Sequence, residues 1–287
     1  MSEPTSESAE TVDLRQLDDP IAVIAFQGWN DAGNAASDAA GRLAGIVEAR
    51  LGYEIDGDDF YDFQVNRPQV RTNEDGEREL TWPTTRLRAG RLSNGRDLVV
   101  VEGYEPNMRW RQFSTMITSA LESAGAKEIY LLGALLADTP HTRPIPVSQT
   151  AADAETAERL GLETSTYEGP TGIIGVLGDA LSRAGAEVCT FWAAVPHYVS
   201  STPCPKAALA LLSKLESVLD VPLDHGDLPE LARAWERGVD ELAAKDPEVA
   251  EYVQALEEQR DETGLPEASG EAIAAEFERY LRRRRES

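Results

Sequence analysis

Two of the three histidines in this chain of 287 residues follow a proline and stand just past an apolar run. Pro140-His141 comes after Leu131-Leu132-Gly133-Ala134-Leu135-Leu136, and Pro196-His197 after Phe191-Trp192-Ala193-Ala194-Val195. Histidine changes charge near neutral pH, so it can act as acid, base or metal ligand wherever a partner fixes its ring. Arg143 and Tyr198 stand beside them; a guanidinium suits a carboxylate or phosphate, and a phenol both donates and accepts. Pro140, Pro144 and Pro146 stiffen the first loop and would hold its polar groups in place. The plainer reading pairs Arg143 with a nearby carboxylate and bonds His141 to a carbonyl, and in so acidic a chain it weighs as much as a ligand role. A metal held by His141, His197 and Asp31 or Glu102 would need ligands from distant segments, and no His-x-His spacing supports it. No metal and no cofactor is expected.

Other turns carry candidate polar groups. Trp29-Asn30-Asp31 follows the run Ile21 to Phe26, and Glu102 and Tyr104 close the run that begins at Leu98. In Tyr167-Glu168-Gly169-Pro170-Thr171-Gly172-Ile173-Ile174-Gly175-Val176-Leu177-Gly178, glycine recurs every third residue. The start of a helix there would offer free N–H groups to an anion, whereas the later glycines, on one helix face, set a close packing distance. Glu168, Pro170, Thr171 and Gly172 therefore stand as site candidates. Gly-x-Ser-x-Gly, His-Glu-x-x-His, the P-loop and Gly-x-Gly-x-x-Gly are all missing, which weighs against a common hydrolase, a zinc protease, an NTPase and a dinucleotide enzyme.

The elements that must position these groups alternate as βαβ units require. Short apolar runs at Ile21 to Phe26, Leu98 to Glu102, Ile129 to Ala134 and Val188 to Ala194 read as strands of one largely parallel sheet. Helical patterns lie between and after them, near residues 35–47, 110–124, 151–160, 172–184 and 205–219. Turns after parallel strands share the carboxyl edge, where open α/β sheets bind ligands. The expectation is one cleft there, gathering Trp29, Asn30, Asp31, Glu102, Tyr104, His141, Arg143, Glu168, Pro170, Thr171, Gly172, His197 and Tyr198. Between residues 53 and 92 the pattern alternates, and Asp75-Gly76 signals a hairpin in an antiparallel insert. Val221 to Asp227 breaks the pattern. Beyond it, Leu231, Trp235, Val239 and Leu242, then Val249, Val253 and Leu256, then Ile273, Phe277, Tyr280 and Leu281 mark three amphipathic helices with acidic outer faces.

This divides the chain into a disordered acidic tail at 1–17, an α/β core at 18–225 and an acidic helical extension at 226–287, removable without unfolding the core. The formal net charge of −24 repels phosphate backbones, so nucleic acid is not an expected partner, and Arg282 to Arg285 read as a solvated helix end. No apolar stretch approaches the ~20 residues that span a bilayer, and the Ser-rich acidic start lacks the features of a signal peptide. A cytoplasmic protein with Cys189 and Cys204 reduced is expected, with no membrane partner.

Taken in order, Gly28-Trp29-Asn30-Asp31-Ala32-Gly33, Pro140-His141-Thr142-Arg143-Pro144, Tyr167-Glu168-Gly169-Pro170-Thr171-Gly172 and Pro196-His197-Tyr198-Val199 resemble the actinobacterial branch of the proteasome assembly chaperone family, over about Pro20 to Asp220. The resemblance implies a three-layer α/β/α sandwich similar to purine nucleoside phosphorylases and related hydrolases. It also implies a family whose eukaryotic and archaeal members help assemble proteasomes, and it brings no established catalytic residues. The hydrophobic-Tyr-any tail that archaeal members can carry is not matched by Arg285-Glu286-Ser287. The expected function is a non-catalytic assembly-chaperone-like or adaptor protein that works through protein–protein contacts and self-associates as a dimer or trimer. The alternative is a phosphorylase- or hydrolase-like enzyme cleaving a small nucleoside-like substrate at the carboxyl edge.

Overall fold

A computed structural model describes residues 11–73, 76–199 and 202–263. In chain order the elements are β1 (Ile21–Gln27), α1 (Ala35–Ile46), β2 (Arg50–Ile55), β3 (Gln69–Thr72), β4 (Arg78–Thr81), β5 (Thr85–Arg91), β6 (Asp97–Tyr104) and α2 (Trp110–Ala124). They continue with β7 (Glu128–Ala137), β8 (Val147–Ala151), α3 (Ala154–Leu160), β9 (Glu163–Thr164), α4 (Ile173–Arg183), β10 (Glu187–Pro196), α5 (Pro205–Leu219), α6 (Leu228–Ala243) and α7 (Pro247–Thr263).

Eight strands form one sheet in the order β2-β5-β6-β1-β7-β10-β8-β9. The four apolar runs are its centre, with β6, β1, β7 and β10 all parallel. A strand in that position needs two buried faces, and β1 divides its residues between them. Ile21, Val23 and Ala25 pack under α1, α5 and the start of α6, whereas Ala22, Ile24 and Phe26 pack against α2 and α4. This is the three-layer sandwich. On the α2 face, the fully buried ring of Phe113 meets Phe26 and Phe60 edge-on at 5.6 and 5.3 Å, and burying such a side chain contributes roughly 1.5–3 kcal/mol. Toward the edges the sheet turns antiparallel, where β5 pairs with β6, β2 with β5 and β8 with β10.

Within the expected tail of residues 1–17, residues 12–16 are packed on the core. Val12 donates a backbone bond to Leu51, and the buried Leu14 packs on the α2 side of the sheet, which supplies the apolar contact that the acidic composition concealed. Residues 1–10 lie outside the described residues. The hairpin is present as β3 paired with β4, apart from the main sheet, although Asp75 of its turn is not described. The helix expected from Ala151 starts at Ala154 instead, capped by the Asp153 side chain, and strand β8 precedes it. Two of the three C-terminal helices are α6 and α7; the third, with Arg282 to Arg285, lies outside the described residues. Helix α6 does not stand apart, because Leu228 and Trp235 join the same apolar cluster as α1 and α5. No helix among the described residues is long and apolar enough to cross a membrane.

Candidate functional site

Most of the candidates fall into two groups at the carboxyl edge. In the first, the loop after β7 meets the turn after β10. His141 is 1% exposed, and its backbone N–H donates to the Tyr198 hydroxyl at 2.7 Å. That hydroxyl also lies 2.7 Å from Nδ1 of His141, while Nε2 lies 2.9 Å from Oδ1 of Asp240 on α6. A hydroxyl that accepts from a backbone N–H can donate its own proton to Nδ1, and a hydrogen on Nε2 can be donated to the carboxylate. Burial pushes the Tyr198 phenol up to about 12, which keeps it protonated for this purpose. Lys206 of α5 donates to the His141 carbonyl and to Glu236 of α6.

Helix α7 completes the cover. Arg143 sends Nε and Nη2 to the two carboxylate oxygens of Asp261 at 3.0 and 2.7 Å and Nη1 to Glu257 at 3.3 Å, and Thr142 also bonds Glu257. Tyr252 donates to Asp138 at 2.9 Å, and its ring meets His197 and Tyr198 edge-on at 5.4 and 5.9 Å. His197 Nδ1 lies 3.2 Å from Asp138 without hydrogen-bond alignment. The acidic face of the extension is thus the counter-charge of the Pro-His loops. Arg143 does pair with carboxylates, and His141 is bonded through its ring to a phenol and a carboxylate.

The second group surrounds a cavity of about 260 Å³ lined by Trp29, Asn30, Pro170, Thr171 and Gly172 together with Thr150, Tyr167 and Trp192. Behind the lining residues Asn30 and Gly172 is a knot around Glu105, just past β6. One oxygen of Glu105 accepts from Nδ2 of Asn30 at 2.8 Å and from the N–H of Ile173, the first residue of α4, at 2.9 Å. The positive end of α4 therefore holds a carboxylate of its own chain, the anion role expected of a ligand. Gly172 is required here because a Cβ would lie 2.2 Å from Oδ1 of Asn30. Gly133 is likewise required, since a Cβ would come within 2.6 Å of the Trp192 ring that lies over β7.

Neither His141, Arg143, His197 nor Tyr198 lines this cavity, so the expected single cleft is replaced by two places. The turns share an edge, but helices α6 and α7 claim one side of it. Asp31 belongs to neither. Its carboxylate accepts from the N–H of Ala36 at 2.7 Å and the hydroxyl of Ser37, serving the start of α1, and burial raises its pKa to about 6. Glu102 pairs with Arg88 across the sheet at 3.1 Å, Tyr104 meets Tyr61 edge-on at 6.3 Å, and Glu168 is exposed. Among the described residues no group of three His, Cys, Asp or Glu is placed to hold a metal. Cys189 and Cys204 are free and buried, and burial pushes each thiol up to about 11. Sequence reasoning missed Glu105, Trp192, Lys206, Asp240, Tyr252 and Asp261. The available signal was the spacing of acids one turn apart in the extension, Glu236 with Asp240 and Glu257 with Asp261.

The fold is thus an α/β/α sandwich whose carboxyl edge is covered by α6 and α7 at the histidine loops and carries a cavity beside the start of α4. The chain belongs to the PAC2 family, which it matches over residues 25–243. It is similar to a solved PAC2 family protein of Streptomyces avermitilis, with 51% identity and a TM-score of 0.76 over 82% of this chain and 100% of that one. It is also similar to a Mycobacterium tuberculosis proteasome-assembly chaperone homologue, with 50% identity and a TM-score of 0.73 over 81% of this chain and 99% of that one. A Pyrococcus furiosus archaeal proteasome activator shares the fold at 19% identity and a TM-score of 0.63, over 79% of this chain and 94% of that one. Nothing among curated proteins matches the chain.

Proposed function

We propose that this chain is a non-catalytic, assembly-chaperone-like or adaptor protein that works in the cytoplasm through protein–protein contacts with a proteasome-related partner. The observation that carries the reading is the fate of His141. Its ring nitrogens are engaged by Tyr198 and Asp240 and it is buried beneath α6, so it is held as a fixed structural group, where a general base needs access to a substrate proton. The half-identical Mycobacterium tuberculosis relative, a proteasome-assembly chaperone homologue, supports the same reading. Self-association is part of it. Strands β3 and β4 are exposed on every residue, with Val70 and Leu80 paired outward and Val65 and Trp82 nearby, and an isolated two-stranded ribbon needs a surface to lie on. Full-length chain purified with a tag from its native cell is expected to bring proteasome subunits with it and to leave a panel of nucleosides unchanged. Nucleoside cleavage that disappears on His141→Ala would instead establish the phosphorylase- or hydrolase-like alternative.

A further inference from the structure

Helix α7 lies beyond the part of the chain matched to the family, which ends at residue 243, yet it covers the outer half of the histidine cluster. Its hold is largely polar. Val253 and Leu256 are its buried apolar side chains, and its polar contacts include the fork of Arg143 on Asp261 and Glu257, the Thr142 bond to Glu257, and Tyr252 on Asp138 and the aromatic rings. Glu257 and Asp261 are one turn apart and project from the same side of the helix. A planar guanidinium that meets two carboxylates at that spacing recognises a pattern, and the pattern is available to any chain that carries it.

We infer that the surface formed by Thr142, Arg143, His197 and Tyr198 is a docking site for an acidic amphipathic helix of a partner protein, with carboxylates at i and i+4 and an aromatic residue five positions before the first of them, and that α7 is the intramolecular occupant which this helix displaces. The inference rests on the adaptor reading for its biological sense. The two fail separately, because proteasome subunits can be missing from a purification while the surface still binds a helix in solution.

The probe is a fluorescein-labelled peptide of residues 245–263, followed by anisotropy against the full-length chain. In the doubly substituted chain Glu257→Lys, Asp261→Lys, α7 loses its grip, and the peptide is expected to bind at least tenfold more tightly than to the wild type. Adding Arg143→Glu is expected to remove that gain. Hydrogen exchange over residues 247–263 reports opening directly: faster exchange in the double variant with no peptide binding overturns the inference. The wild-type chain supplies a measurement that needs no variant to fold. Its α7 amides are expected to exchange through a local opening well below the denaturant range of global unfolding, and exchange only by global unfolding would make α7 an integral helix and overturn the displaceable cover.

Discussion

A buried acid at a helix start works against itself, and Asp31 is the case in this chain. Its carboxylate satisfies the N–H of Ala36, but burial outweighs the bonds from Ser37 and Ala36 and raises the pKa to about 6. The unfolded chain releases that proton near pH 4. Between those values the folded state holds more protons, so the contribution present below pH 4 is lost as pH rises through 6, on the order of 3 kcal/mol in all. Asp31→Asn keeps an acceptor for Ala36 and cannot titrate. The difference between the urea stabilities of wild type and variant is therefore expected to shift against the wild type by about that amount from pH 4 to 7, and a constant difference would exclude Asp31 as the source. At the histidine cluster, His141→Ala removes a ring bonded at both nitrogens and is expected to cost about 2–4 kcal/mol in urea denaturation. Arg143→Ala, with a side chain one-third exposed, is expected to cost less than about 1 kcal/mol.

At the scale of elements, the proposed self-association rests on the exposed β3–β4 ribbon. Val70→Lys with Leu80→Lys places cations on its outward pair, and light scattering is expected to fall from an oligomer to the mass of a single chain. A wild type that already scatters as a single chain would remove the hairpin from that role. The central strands were legible because a strand buried on both faces must be apolar along its whole length, as Ile21 to Phe26 are. Strand β8 was not, since Val147-Ser148-Gln149-Thr150-Ala151 has a single large apolar residue and owes its form to pairing with β10. The candidate site was half legible for a related reason. His141 and Arg143 stand out locally, but Asp240 lies 99 residues beyond the one and Asp261 118 beyond the other, so nothing near the loop announces what will cover it.

Over the whole molecule, a formal charge of −24 makes the folded chain repel itself, and added salt relieves that repulsion. The same salt screens the pairs that hold α7, whose Arg143 and Asp261 are both partly exposed. From about 10 to 200 mM NaCl, where the screening length falls from roughly 30 Å to under 10 Å, the urea midpoint of the core is expected to rise while protection of the α7 amides falls. Parallel movement of the two would mean that α7 shares the core's cooperativity. The order of the elements along the chain adds a matter of timing. Helix α7 is made after everything it covers, and at roughly 5–20 residues per second the stretch from Leu219 to Thr263 takes roughly 2–9 s to synthesise. For that interval a newborn chain presents its histidine loops without α7 to whatever waits beside the ribosome, a window that closes once that helix arrives.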